Sequence, residues 1–536
     1  MMASIKTGVT VMILCLLLQG AQALAAQIPP AQRPIHVLNR LAFGPGPGDL
    51  ERVNEIGVQR YIQEQLHPEL IPVPAALQSQ LDALDTLRMT PVELFMAYRP
   101  FQPGAKTAGT EAGATEQAKA ARQRARIVME QAAQARLVRA IEDPRQLQQV
   151  MVYFWFNHFN VFVGKGLDYL WTGAFEQEAI RPYALGRFRD LLGATASHPA
   201  MLFYLDNWLN TGPGTPGARG KFEGLNENYA RELMELHTLG VNGGYTQHDV
   251  IELARIFTGW GLVNRGGARR SGLWRWLRRT SGEGAGTGSG FYFDPARHDF
   301  GNKIFLGHTI EGSGMGEGQQ ALDILARNPA TANHIAYELT QYFVADDPPP
   351  ALVARLSATF LNTDGDIRAV LDALFHSPEF WDRKYYANRF KTPYQFVVSA
   401  VRAVGVSPRN FRPLLGTMAQ LGEPLYACQT PDGYKFTQAA WLNPDAMMRR
   451  LSFATALGNG RLPLTTLPPE DGPEGGAITP AAMPPPRAPA INPPDPYELA
   501  ATVGNSFTHQ TAATVRESPP QLRAALILGS PEFMMH

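Results

Sequence analysis

Apolar residues recur at helical spacing along most of this chain, and clusters of Gly and Pro interrupt them. The stretch from Asn226 to Trp260 is the most informative case and predicts two helices joined by a Gly-rich turn. At 100° per residue, Tyr229, Leu233, Leu236 and Gly240 share one face of the first helix. Asn228, Glu232 and Glu235 fall in a narrow arc beside that face, with His237 on the other flank. Thr246 with Asp249 forms a capping box that opens the second helix, where Glu252 and Arg255 pair at i, i+3 on a surface or helix–helix face. Further helices are predicted over His36 to Leu66 with a Gly/Pro break, Glu116 to Ile141, Gln146 to Phe162, Phe188 to Ala196, Gly318 to Phe343, and a stretch ending at His376-Ser-Pro-Glu-Phe380. An Asp at 364 or 366 caps the last of these; the surrounding Asp-rich run fails the calcium-loop pattern. Two short β-type runs, Phe291 to Phe293 and Lys303 to Leu306, read as one two-stranded ribbon. The expected fold is therefore mainly α: a multi-helical globular domain with a small β ribbon.

The same pattern divides the chain. Residues 1–26 read as a signal peptide and 27–460 as the helical domain, with flexible insertions at 101–115 and 265–290. Residues 461–496 hold twelve prolines and read as a linker or extended arm. Residues 497–536 form a C-terminal helical segment expected to pack back on the domain. Its Leu528-Gly-Ser-Pro-Glu-Phe533 echoes Phe375-His-Ser-Pro-Glu-Phe380, as a repeated helix-end device.

The N-terminal segment sets the expected location. Lys6 is the only charge before the apolar run Val9 to Leu18, and small residues follow, with candidate cleavage sites before residue 27. Cys15 follows a bulky Leu14, which argues against a lipid anchor. The expectation is a secreted or periplasmic protein with no transmembrane segment after cleavage. Only Cys428 then remains, so core packing must hold the fold, and a 45% hydrophobic composition supplies it. Acidic and basic residues balance at 48 each, which excludes a global bias towards nucleic acid. One local exception, Arg265 to Arg279, carries six Arg and two Trp; it reads as a solvated insertion, or as a patch that stacks on sugars or binds anions.

Three clusters carry candidate chemistry. His158 lies between Asn157 and Asn160 in an aromatic helix, as a general acid/base or metal ligand, or as a satisfied core histidine. Glu232 and Glu235 are three apart, a spacing that suits acid/base work or a hard divalent metal; Arg231 or Arg255 neutralising them is the structural alternative. His298 and Asp299 share a loop with Lys303, as a site or as turn chemistry. The candidate catalytic residues are thus His158, Glu232, Glu235 and His298, with Asn157, Asn228, Arg231, Asp299 and Lys303 as candidate substrate contacts. No cofactor signature, zinc spacing, nucleophile elbow or phosphate loop occurs.

The blocks His36 to Gly44, Trp155 to Phe159, Asn226 to Trp260, His298 to Gly307, Asp364 to Trp381 and Pro431-Asp-Gly-Tyr434 followed by Trp441 occur in this order. Together they resemble the large exported bacterial family known as domain of unknown function 1800. The resemblance implies export but supplies no catalytic residue. Genes of that family often neighbour those of a second exported family, numbered 1501, similar to alkaline-phosphatase-type metal hydrolases, which makes such a protein a candidate partner. Two functional readings follow. One is a hydrolase acting on an extracellular polymer or glycan by carboxylate/His chemistry. The other is a non-catalytic envelope protein that binds a surface polysaccharide or an exported partner. The hydrolase reading needs His158, Glu232 and Glu235, with His298 as an optional fourth member, to converge on one solvent-reachable pocket; Arg side chains that saturate both glutamates, with no cleft reaching them, favour the binding protein instead.

Overall fold

The computed structural model describes residues 27–98, 111–262, 289–466 and 491–536. The expected signal peptide, the Arg/Trp stretch, most of the Pro-rich arm and the first ten residues of the 101–115 insertion lie outside them.

The fold is mainly α. Its main helices, in chain order, are α1 (Arg33–Leu41), α2 (Glu111–Glu142), α3 (Gln146–His158), α4 (Asp168–Phe175), α5 (Asn228–Glu235), α6 (Gln247–Ile256), α7 (Met315–Ala326), α8 (Pro329–Phe343), α9 (Pro350–Asn362), α10 (Ile367–Phe375), α11 (Pro393–Val404), α12 (Pro444–Gly458) and α13 (Pro520–Leu528). Helix α3 lies at the centre. From Gln149 to His158 every one of its residues is buried, as befits a helix with no polar face to give to water. Helix α2 packs on α4 and α11, α9 packs on α8 and α10, and α13 lies against α12. The last residues return to the core: Phe533 meets Phe396 with ring centroids 6.0 Å apart, and Met535 bridges Phe390.

Local signals explain the boundaries. Thr246 and Asp249 form the expected capping box of α6, and Asp366, not Asp364, caps α10. Thr392 and Gln395 make a second box at α11, which Gly405 ends in the left-handed region. The helix expected from Glu116 instead begins at Glu111, inside the presumed insertion, because Ala-rich sequence with Glu and Gln favours helix over loop.

The single ribbon is corrected. Phe291–Phe293 (β2) pairs with Trp260–Leu262 (β1), and Lys303–Phe305 (β3) pairs with His308–Ile310 (β4), both antiparallel. Each run finds a partner other than the one expected. In the second hairpin Leu306 and Gly307 both have positive φ (47° and 79°), the requirement of a tight two-residue turn. Both ends of the Pro-rich segment are tied down: Ile491 N–H donates to the Gly460 carbonyl at 3.1 Å, and the Leu464 carbonyl accepts from Arg409 and Asn410. Among the described residues no helix is long and apolar enough to cross a membrane.

Candidate functional site

The last turn of α3 sends three polar side chains in different directions. Asn157 clasps the backbone of Tyr434: its Nδ2 donates to the carbonyl at 2.8 Å, and the Tyr434 N–H donates to its Oδ1 at 2.7 Å. Asn160 donates to the carbonyls of Cys428 and Thr430 at 3.0 and 2.8 Å. The two amides thus pin the Pro431-Asp-Gly-Tyr434 loop against the helix end. Gly433 is required there. Its φ is +63°, and a Cβ would collide with the backbone oxygen of Asn157.

His158 turns towards α8. Its Nδ1 lies 2.6 Å from Glu338 Oε2, and its Nε2 lies 3.2 Å from the carbonyl oxygen of His237. Glu338 Oε1 also faces His334 Nε2 at 3.4 Å, one turn away on α8, and His334 Nδ1 donates to the Thr238 carbonyl at 2.8 Å. Burial alone pushes the Glu338 carboxyl up, but His158 and His334 outweigh it and hold the group well below the usual carboxylate range. For His334, burial lowers the value and Glu338 more than restores it, so the net direction is up. His237 is driven well below its ordinary value by burial and by neighbouring His158, and its Nε2 has no hydrogen-bond partner among the described residues.

These groups border a cavity of about 460 Å³. Asn157, His158, Glu235, His334, Glu338 and Asp432 supply its polar wall, and Phe154, Tyr337, Tyr434 and Phe436 its aromatic wall. Glu338 is 31% exposed and Glu235 28%, whereas the His158 ring is almost closed off at 3%. Glu235 has Arg231 at 3.8 Å, too long for a saturating ion pair. Glu232 is not part of the cavity lining. It is half-buried, and burial followed by the charge of Glu235 raises its carboxyl, with Arg231 opposing and Asp432 adding.

The other sequence candidates are placed elsewhere. Asn228 donates to the Leu205 carbonyl at 3.2 Å, and Arg231 ties α5 to α6 through Glu227 and Gln247 at 3.1 and 2.9 Å. His298, Asp299 and Lys303 belong to a separate network under the second hairpin and do not reach the cavity. His298 Nε2 meets Glu317 Oε1 at 2.8 Å, its Nδ1 meets the Thr258 carbonyl at 2.8 Å, and Lys303 Nζ donates to Glu317 Oε2 at 2.5 Å. Asp299 pairs with Arg255 at 2.8 Å. The side chains of His298, Lys303 and Glu317 are fully buried. Glu252 makes the expected pair with Arg255, at 2.8 and 3.0 Å, but as a buried group and not at the surface, and it also takes the Ile304 N–H at 3.0 Å.

Sequence reasoning missed Glu338, His334 and Asp432. The i, i+4 spacing of His334 and Glu338 was the available signal for the first two. Among the described residues no group of three or more His, Cys, Asp or Glu side chains is disposed to hold a metal ion. The histidines bond to Glu338 and to carbonyls instead of converging on one point.

The family model described as Protein of unknown function (DUF1800) matches residues 36–535. The chain belongs to that family. No curated protein and no solved structure matches it. The matched span includes all the elements that build the cavity. It begins at His36, whose Nε2 lies 3.0 Å from the Phe380 carbonyl and whose ring meets those of Phe380 and Trp381 at a tilt, with centroids 4.8 and 5.6 Å away. Two blocks that carry the DUF1800 resemblance, far apart in sequence, therefore meet in the core.

Proposed function

We propose that this DUF1800 protein is an exported hydrolase that cleaves a glycan or another extracellular polymer in the cavity between α3, α5 and α8. The observation that carries the reading is that Glu235, Glu338, Asp432 and His158 border one solvent-reachable space with aromatic walls. Glycosidic cleavage needs one carboxyl to protonate the leaving oxygen and a second to stabilise the positive sugar or activate water. Glu338, kept ionised by two histidines, suits the second role. Glu235, on another helix of the same cavity, is assigned the proton transfer. His158 spends both nitrogens inside the protein, so it acts as a positioning residue for Glu338. Asn157 orients the loop that carries Asp432. The aromatic rings offer flat faces to sugars, and the amide Asn333 and the backbone around Gly243 add hydrogen-bonding groups to the wall.

The test is turnover. The purified mature protein is assayed on a panel of polysaccharides and esters, with and without divalent metal, beside Glu235→Gln and Glu338→Gln. Released reducing ends or acid, lost in both variants, support the hydrolase. Saturable polymer binding without turnover, undiminished in both variants, replaces it with the non-catalytic envelope protein. N-terminal sequencing of the exported protein tests the location: an intact Met1 refutes export.

A further inference from the structure

A second cavity, of about 270 Å³, shares no lining residue with the first. Its walls are aromatic. Phe203 and Trp208 stack with centroids 5.4 Å apart and planes 19° from parallel, and Trp171 meets Phe203 edge-on at 5.7 Å. Pro91 and Pro199 complete the apolar lining.

Two cations stand on these rings. Arg297 lies 4.7 Å over Phe222 and is compensated by Asp294 at 3.1 Å and the Trp208 carbonyl at 2.9 Å. Lys221 differs. Its ammonium lies 4.3 Å from the Trp208 ring centroid and 5.1 Å from that of Phe222, and it has no carboxylate at ion-pair distance among the described residues. The Trp208 indole N–H is buried and has no acceptor among the described residues. An apolar chamber with one ammonium that no described carboxylate compensates is complementary to a molecule with an apolar body and a single anionic end. The volume falls just below the usual range for drug-sized ligands, so the occupant is a single ring or a short chain.

We propose that this cavity is a binding site for a small apolar carboxylate, its tail among Trp171, Phe203 and Trp208 and its carboxylate at Lys221. The site is independent of the hydrolase reading.

Calorimetric titration of the mature protein with straight-chain carboxylates from propionate to octanoate, and with the matching alcohols, tests it. Carboxylates should bind saturably, about fourfold tighter for each added methylene until the chamber is full. Alcohols of equal length should bind roughly tenfold more weakly, because they lack the charge. Lys221→Gln should bring the carboxylates down to the alcohol level. Lys221 is exposed, so its melting temperature should not move. Absence of saturable binding, equal affinity for acid and alcohol, or an unchanged carboxylate affinity in Lys221→Gln each overturns the proposal.

Discussion

At the scale of single residues, the two glutamates of the cavity should separate chemistry from support. Glu235 is partly exposed and loosely paired with Arg231, so Glu235→Gln should cost about 0–1 kcal/mol of stability. If it transfers the proton, activity should fall by roughly 10² or more. Glu338→Gln leaves His158 and His334 without their shared carboxylate. It should cost about 1–3 kcal/mol as well as activity. Urea titration and initial rates on the same preparations check both; a Glu235→Gln protein that unfolds sharply earlier while its folded fraction stays fully active removes Glu235 from the site. Glu252→Gln belongs with the scaffold. It breaks a buried two-oxygen pairing with Arg255 and should cost about 2–4 kcal/mol, with no specific loss in the folded fraction. His158 and Glu235 were legible because a polar group in an apolar helix, or beside an apolar face, has to be accounted for. Glu338 was not, because its bond to His158 spans 180 positions and its own helix shows only an ordinary i, i+4 pair. His298, Asp299 and Lys303 drew attention as a charged loop, and the carboxylate that satisfies His298 and Lys303 comes from the first turn of α7.

At the scale of elements, what the chain writes locally was readable and what it writes at a distance was not. Caps and apolar spacing located α3, α6 and α10 because their hydrogen bonds close within a few residues, whereas the stretch from Gly318 to Phe343 is parted into α7 and α8 where Asn328 caps α8 ahead of Pro329. The pairing of Phe291–Phe293 was missed because its partner, Trp260–Leu262, lies across the stretch outside the described residues and looks in sequence like the end of α6. The Ser-Pro-Glu-Phe repeat was read as a helix-end device, and both copies make the same bond. Ser377 Oγ accepts the Phe380 N–H at 3.2 Å, and Ser530 Oγ accepts the Phe533 N–H at 3.1 Å. Ser377→Ala and Ser530→Ala should therefore each cost about 1 kcal/mol, nearly additively because they sit on different helix ends. Denaturant midpoints of the two single variants and the double variant check this; a double variant far from the sum would mean that the two ends are coupled. The Pro431-Asp-Gly-Tyr434 loop gives a harsher outcome. Gly433→Ala puts a methyl against the Asn157 backbone in a left-handed conformation, and should cost about 2 kcal/mol or more while displacing Asp432 from the cavity. A variant with wild-type midpoint and wild-type activity would show that the loop is not held as described.

At the scale of the whole molecule, buried titratable groups set how stability depends on pH. His36 and His237 are driven well below their ordinary values, by burial first, and burial drives His198 to about 3. As pH falls below about 6.5 the unfolded chain protonates these histidines and the folded one does not, so stability falls by about 1.4 kcal/mol per pH unit for each. Glu178, 3.9 Å from His198 Nε2, works in the other direction: burial raises its carboxyl to about 7, so the folded state holds its proton more tightly than the unfolded chain between about 4.3 and 7. Between about 4.3 and 7, folding therefore favours the neutral pair over an ion pair. His334, raised, contributes stability that is present below about 6.5 and lost as pH rises through its folded value. Below about 4.3 the depressed carboxyls of Glu338, Glu317 and Asp299 add a second acid loss. The His198 share can be isolated, because its Nδ1 accepts the Ala200 N–H at 3.2 Å and so caps the helix that begins at Pro199. Asparagine is a better cap of the same kind and does not titrate. His198→Asn should leave stability at pH 7 within about 1 kcal/mol of the parent yet be more stable by about 2 kcal/mol at pH 5, relative to that starting point. Urea unfolding of both proteins from pH 4.5 to 8 measures the difference. Parallel curves would mean that burial does not shift His198, and a parent that gains on the variant as pH falls would mean that His198 forms an ion pair with Glu178.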